Sequence, residues 1–215
     1  YLLDHEAGIN AFAAGFTPSD AVIGVTRGAA EAFTRDELQG VIAHEFSHIL
    51  NGDMRLNIRL IGLLHGILII GILGYFVLRM GMFSGVGRSR SRQQGSPLPL
   101  LALGAGLMAV GLFGMLFGNL IKAAVSRQRE FLADASAVQF TRQPAGIADA
   151  LKRIGGATTG SGIQSPNAPE ASHMFFGRAT RGLSGLFSTH PPLAERIRRI
   201  DPSWDGALPE GPPAA

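Results

Sequence analysis

Cysteine is absent from the 215 residues, tryptophan occurs once and tyrosine twice. The missing thiols exclude disulfides and thiolate metal ligands, so any zinc site must be built from His, Asp and Glu. They also fit a reducing compartment. Aromatic residues do not interleave with the arginines that give the net charge of +3, and no nucleic-acid-binding module is recognisable, so nucleic acid is not an expected partner. The length suffices for one or two domains with a core of their own. The sequence begins with Tyr1, and no targeting segment is read there.

Charge is missing from two long runs. Leu60 to Leu78 carries no formal charge with His65 neutral, and Leu98 to Ile121 carries none either. A hydrocarbon core of about 30 Å needs roughly 20 apolar residues of helix, so both runs are long enough to span a bilayer. Their glycines suit close helix packing in lipid, with G-x-x-x-G at Gly114 to Gly118. A buried hairpin in a soluble bundle is the alternative, but so much uncharged sequence is hard to cover in a chain this small. His65 is expected to make a helix-to-helix hydrogen bond.

Before the first run stands TRDELQGVIAHEFSHILNGD. Thr34 and Glu37 have capping-box spacing, and Gly52 after Asn51 supplies a stop. Leu38, Val41, Ile42, Phe46, Ile49 and Leu50 recur at helical intervals and predict a core-facing stripe. On such a helix His44 and His48 share a face, with Cβ atoms about 5–6 Å apart, close enough for two imidazoles to meet one ion. Glu45 is turned by roughly 100° from that face, which suits a base that neighbours the ion without binding it. Two surface histidines beside an acid are the plain alternative.

A catalytic zinc site takes three protein ligands and leaves one position open. Downstream of His48 there are four glutamates: Glu130, Glu170, Glu195 and Glu210. Glu170 falls in a Gly, Ser, Thr and Pro-rich stretch, Glu210 in the tail, and Glu195 has Arg199 one turn away. Glu130, on a predicted helix beside Ala133, Ala135 and Ala137, is the candidate third ligand. Asp134, one turn on, is the candidate partner for the far nitrogen of a ligating histidine.

Elsewhere, NAFAAG and AVIGVT read as strands of a small N-terminal sheet, within a region from 1 to 33 read as short strands only. Ala21 to Thr26 is expected to be an edge strand that pairs with extended substrate. KAAVSRQREFLADASAVQF, Pro144 to Ile154 and HPPLAERIRRI read as helices, the last with prolines at its start. Residues 81–97 and 155–172 read as loops.

H-E-F-S-H after T-R-D-E-L, then R-E-F-L-A-D, then S-T-H-P-P-L-A-E-R-I, with N-A-F-A-A-G upstream, resemble in order the HtpX-type membrane zinc metalloproteases, relatives of the CAAX prenyl proteases. The resemblance runs from about Asn10 to Asp201. It implies an α+β, mainly helical fold: a gluzincin-type zinc protease domain with a small sheet, interrupted by a two-helix transmembrane hairpin. Proteins of that type carry further spans before the catalytic part, which this sequence does not include.

The expected division is 1–55, first catalytic part; 56–80, membrane helix; 81–97, loop; 98–121, membrane helix; 122–205, second catalytic part; 206–215, tail. One Zn²⁺ is expected on His44, His48 and Glu130, with Glu45 as base. The resemblance brings the THPP segment back to the cleft and makes His190 the candidate oxyanion stabiliser, against a helix-capping histidine. It implies protein or peptide substrates, misfolded membrane proteins among them, and a bacterial inner membrane with the catalytic part in the cytoplasm. Arg55, Arg59, Lys122, Arg127 and Arg129 on the catalytic side against Arg79, Arg88, Arg90 and Arg92 leave the positive-inside rule near balance. The rival readings are a prenyl-protein protease, an intramembrane protease and a non-catalytic zinc-binding scaffold. Charged Arg35, Asp36, Glu37 and Asp53 around the motif speak against the second, and a scaffold has no need of Glu45.

Overall fold

The computed structural model describes residues 1–15, 17–83, 96–157 and 188–209. Most of the loop expected at 81–97, the stretch that holds Glu170 and His173, and Glu210 lie outside the described residues. The chain divides into two compact units, one of Tyr1–Leu56 with Ala123–Ala215 and one of Asn57–Lys122.

In the first unit, β1 (Leu2–Leu3), β2 (Ala11–Ala14) and β3 (Val22–Thr26) form a sheet in the order β1-β3-β2. β3 pairs in parallel with β1, through Leu2 with Val25, and antiparallel with β2, through Phe12 with Gly24. The edge role expected of residues 21–26 therefore fails, because β3 has a neighbour on each side. The two-residue β1 was too short to be read from alternation.

The chain turns from sheet to helix at Thr26. Its buried hydroxyl lies 2.6 and 2.8 Å from the carbonyls of Gly8 and Asn10, which share its one hydrogen, and accepts from the Ala29 N–H, capping α1 (Arg27–Ala32). This six-residue helix lies in the region read as strands only, because too few residues carry a helical period.

Helix α2 (Arg35–Leu50) starts as its sequence predicts. Thr34 Oγ1 accepts from Glu37 N, Glu37 Oε2 accepts from Thr34 N, and Asn51 with Gly52 ends it, Gly52 at φ 66° where a side chain is strained. The core-facing stripe is only partly right. Val41 is buried and Leu38 packs on the core, but Phe46 and Leu50 are exposed, while Gly40, Ala43, His44, Glu45 and Ser47 are buried.

Helix α5 (Pro144–Gly156) packs on α2 with Ile147, Leu151 and Ile154, and Arg153 holds Glu37 through hydrogen bonds of 2.9 and 3.1 Å. Helix α6 (Leu193–Ile200) adds Ile197 to the same core, and Lys152 reaches Asp201 beyond its end at 3.1 Å. The expected Glu195–Arg199 pair is present at 3.0 Å.

Helices α3 (Asp53–Phe83) and α4 (Leu98–Thr141) are each long and apolar enough to cross a membrane. The second apolar run and the Glu130 helix, read as separate elements, are one continuous helix of 44 residues. No Pro or Gly interrupts residues 119–141, so nothing breaks the ladder.

In the second unit, Gly71 faces Gly111 so closely that a Cβ on Gly111 would collide with backbone, and Gly114 and Gly118 receive Ile67 and Leu64. Leu63, Ile69, Phe76, Leu112 and Phe117 point outward and are exposed. His65 departs from expectation: its Nδ1 donates to the Ile61 carbonyl of its own helix at 2.9 Å, a bond one turn back that needs no partner helix.

Candidate metal centre

The buried arc of α2 carries chemistry where an ordinary core helix would carry Leu or Val. His44 is fully buried and Glu45 nearly so, and Glu130 and Asp134 of α4 are buried opposite them. Ala133 and Ala137 are fully buried and let α4 come close, whereas Ala135 faces outward.

The expected ligand atoms converge. His44 Nε2 lies 3.1 Å from His48 Nε2 and 3.7 Å from Glu130 Oε2, and His48 Nε2 lies 3.5 Å from Glu130 Oε1. Four-coordinate zinc with bonds near 2.1 Å separates its ligand atoms by about 3.4 Å, so these donors fit one ion. Both Glu45 oxygens and His190 Nε2 are buried beside them without a hydrogen-bond partner among the described residues. Such orphans are costly unless an ion, a water or a substrate completes them.

Behind the candidate ligands the groups are paired. His44 Nδ1 lies 2.9 Å from Asp134 Oδ1, in the position expected of Asp134. His48 Nδ1 bonds Asp53 Oδ2 at 2.7 Å. With both Nδ1 atoms engaged, both Nε2 atoms are left to face a metal ion, were one bound. His190 Nδ1 lies 3.1 Å from Glu130 Oε2, so its segment does return to the cleft. The helix-capping alternative for His190 fails, since Pro192 is the N-cap of α6 and no side chain caps it.

Sequence reasoning missed two groups. Arg196 is buried, donates to Asp134 at 2.8 and 2.6 Å, and lies 3.1 Å from Glu130 Oε2. Its signal was available, since Leu193, Arg196, Ile197 and Ile200 share one helix face, and an arginine on an apolar stripe needs a buried partner. The other is Asp53, which by sequence is only part of the motif's charged frame.

The pocket separates its carboxylates. Burial lifts Glu45 to about 7, against the opposing pull of His48. Burial pushes Glu130 and Asp134 up as well, but the charges of His190 and Arg196 hold Glu130 well below the ordinary range, and Arg196 holds Asp134 down. Burial lowers His44 to about 4, leaving it neutral. His48 is also buried, yet Asp53, Glu130 and Glu45 raise it to about 9. Without an ion, the surrounding carboxylates therefore favour a proton on His48.

Comparisons with known proteins show the family. The model of "Peptidase family M48" matches residues 1–203. A "Protease HtpX homolog" of Streptococcus uberis is 36% identical over 202 residues, covering 93% of this chain and 65% of the relative. Another from Thermoanaerobacter pseudethanolicus is 39% identical over 204 residues, covering 93% and 64%. The chain thus spans a little under two thirds of the length of these relatives. The crystal structure of S. mikatae Ste24p shares the fold at TM-score 0.54 and 20% identity, covering 93% of this chain and 45% of that one. A family match over nearly the whole sequence, and a fold that gathers two histidines of one helix and a glutamate of another, lead to one conclusion: the chain belongs to peptidase family M48.

Proposed function

We propose that the chain is the catalytic part of an integral-membrane zinc endopeptidase, holding one Zn²⁺ on His44, His48 and Glu130. The observation that carries this is the meeting of those three donors beside a buried carboxylate, Glu45, that has no hydrogen-bond partner among the described residues. When bound, zinc supplies Lewis acidity toward a peptide carbonyl and lowers the pKa of water toward 7.

Glu45, buried beside the donors and turned off their face, is placed to accept a proton from the attacking water and to return it to the departing amine. His190, close to Glu130 and with Nε2 buried and unsatisfied among the described residues, is the group offered to the developing oxyanion. Asp134 orients His44, and Arg196 offsets the negative charge of Asp134 and Glu130.

Residues 1–55 and 122–205 make the catalytic domain in this reading, and 56–80 and 98–121 cross the membrane. The catalytic part lies in the cytoplasm of a bacterial cell, against the inner membrane, and the substrates are proteins or peptides, misfolded membrane proteins among them. The test is metal analysis and casein hydrolysis by the detergent-purified protein. Zinc in the wild type, with most of it lost and no hydrolysis in Glu130→Ala, is expected. Undiminished zinc in that variant removes Glu130 from the centre.

A further inference from the structure

Each histidine of the centre is backed by a carboxylate, and each carboxylate by an arginine. For His44 the relay is Asp134 and Arg196, from α4 and α6. For His48 it is Asp53 and Arg129. Asp53 Oδ2 accepts from His48 Nδ1 at 2.7 Å, and Arg129 Nη1 lies 3.2 Å from Asp53 Oδ1. Asp53 is well shielded, its side chain 12% exposed.

The origin of these groups gives the second relay its interest. Asp53 is the first residue of α3, carried back beneath the imidazole by the turn at Gly52. Arg129 directly precedes Glu130 on α4. These two helices are the ones that continue as the apolar hairpin. A carboxylate on Nδ1 fixes the tautomer and the rotation of the ring and raises the basicity of Nε2.

We propose that Asp53 is a positioning residue for His48, and that Arg129, by holding Asp53, ties the alignment of that histidine to the roots of the two membrane helices. The inference rests on the reading of His44, His48 and Glu130 as a metal centre. The competing role for Asp53 is that of an acid in the first turn of α3, stabilising the helix alone. That role would leave zinc affinity untouched.

The test is zinc affinity of the full chain in detergent micelles, by competition with a chromophoric chelator, with helicity followed alongside and Co²⁺ absorption reporting ligand geometry. Asp53→Asn is expected to bind zinc about 10- to 100-fold more weakly at unchanged helicity, with an altered Co²⁺ spectrum and partial recovery in Asp53→Glu. Arg129→Gln should weaken binding less, and the double variant should be no weaker than Asp53→Asn alone, because Arg129 acts through Asp53. Affinity of Asp53→Asn within about twofold of wild type, or strictly additive losses, would overturn the proposal. Should Asp53→Asn fail to fold, Arg129→Gln decides: unchanged affinity and spectrum overturn it. A wild type that binds no zinc would remove the metal centre itself, and this inference with it.

Discussion

Arg196 of α6 grips Asp134 of α4 through two charge-assisted hydrogen bonds of 2.8 and 2.6 Å, and neither side chain reaches solvent. The pair joins the end of the chain to the candidate centre, because Asp134 in turn faces His44 and the same guanidinium faces Glu130. Removing one member of a buried pair leaves the other uncompensated, at about 3–5 kcal/mol. Arg196→Ala should therefore lower the thermal unfolding temperature in detergent far more than Arg199→Ala, whose exposed pair with Glu195 contributes little. Equal effects of the two variants would contradict this account.

Glu37 predicts a pH dependence. Burial pushes its carboxyl up, but Arg153 and the cap at Thr34 bring it below the ordinary value of 4.5. A carboxylate with a depressed folded pKa contributes stability that is complete above the unfolded value and is lost as pH falls through the folded one. Glu37→Gln should cost about 1–2 kcal/mol near neutral pH. The gap from wild type should close below pH 4.5. Urea melts at neutral and acid pH measure it, and a gap that widens in acid would refute the pairing.

The hairpin depends on small residues at chosen places. A Cβ at Gly111 meets the Gly71 backbone, whereas one at Gly106 meets nothing within 4 Å. Gly111→Val should lower thermal stability in micelles, and Gly106→Val should not. Equal tolerance of both would mean that the helices do not pack along this face.

Orientation can be read with single cysteines, since the chain has none of its own. Ser96, before α4, and Ser203, after α6, are both exposed. An impermeant maleimide applied to intact bacterial cells should label Ser96→Cys and spare Ser203→Cys. The reverse pattern would put the catalytic part outside, and labelling of both would argue against a spanning hairpin.

Much of the centre was legible because its signals are local. Thr34, Glu37, His44, Glu45 and His48 lie within fifteen residues on one helix, so periodicity and capping place them together. Glu130 and Asp134 could be reached because few other acids remained. Arg196 and Asp53 were not reached, since their roles depend on partners 62 and 5 residues away in an arrangement only folding creates. The stripe on α2 misled for a related reason. Hydrophobic period finds the apolar side of a helix, and here the buried arc also holds His44, Glu45 and Ser47, leaving Phe46 and Leu50 outside. The edge assignment of β3 failed because a neighbour as short as β1 leaves no pattern.

Glu45 bears the central claim. It lies beside the candidate ligand donors rather than among them, buried and without a hydrogen-bond partner among the described residues. Zinc content and peptide hydrolysis measured on the same preparation of Glu45→Gln test it most directly. The account predicts about one zinc per chain, as in wild type, with turnover lower by at least about a thousandfold. Near-normal turnover in a zinc-loaded Glu45→Gln enzyme would contradict it.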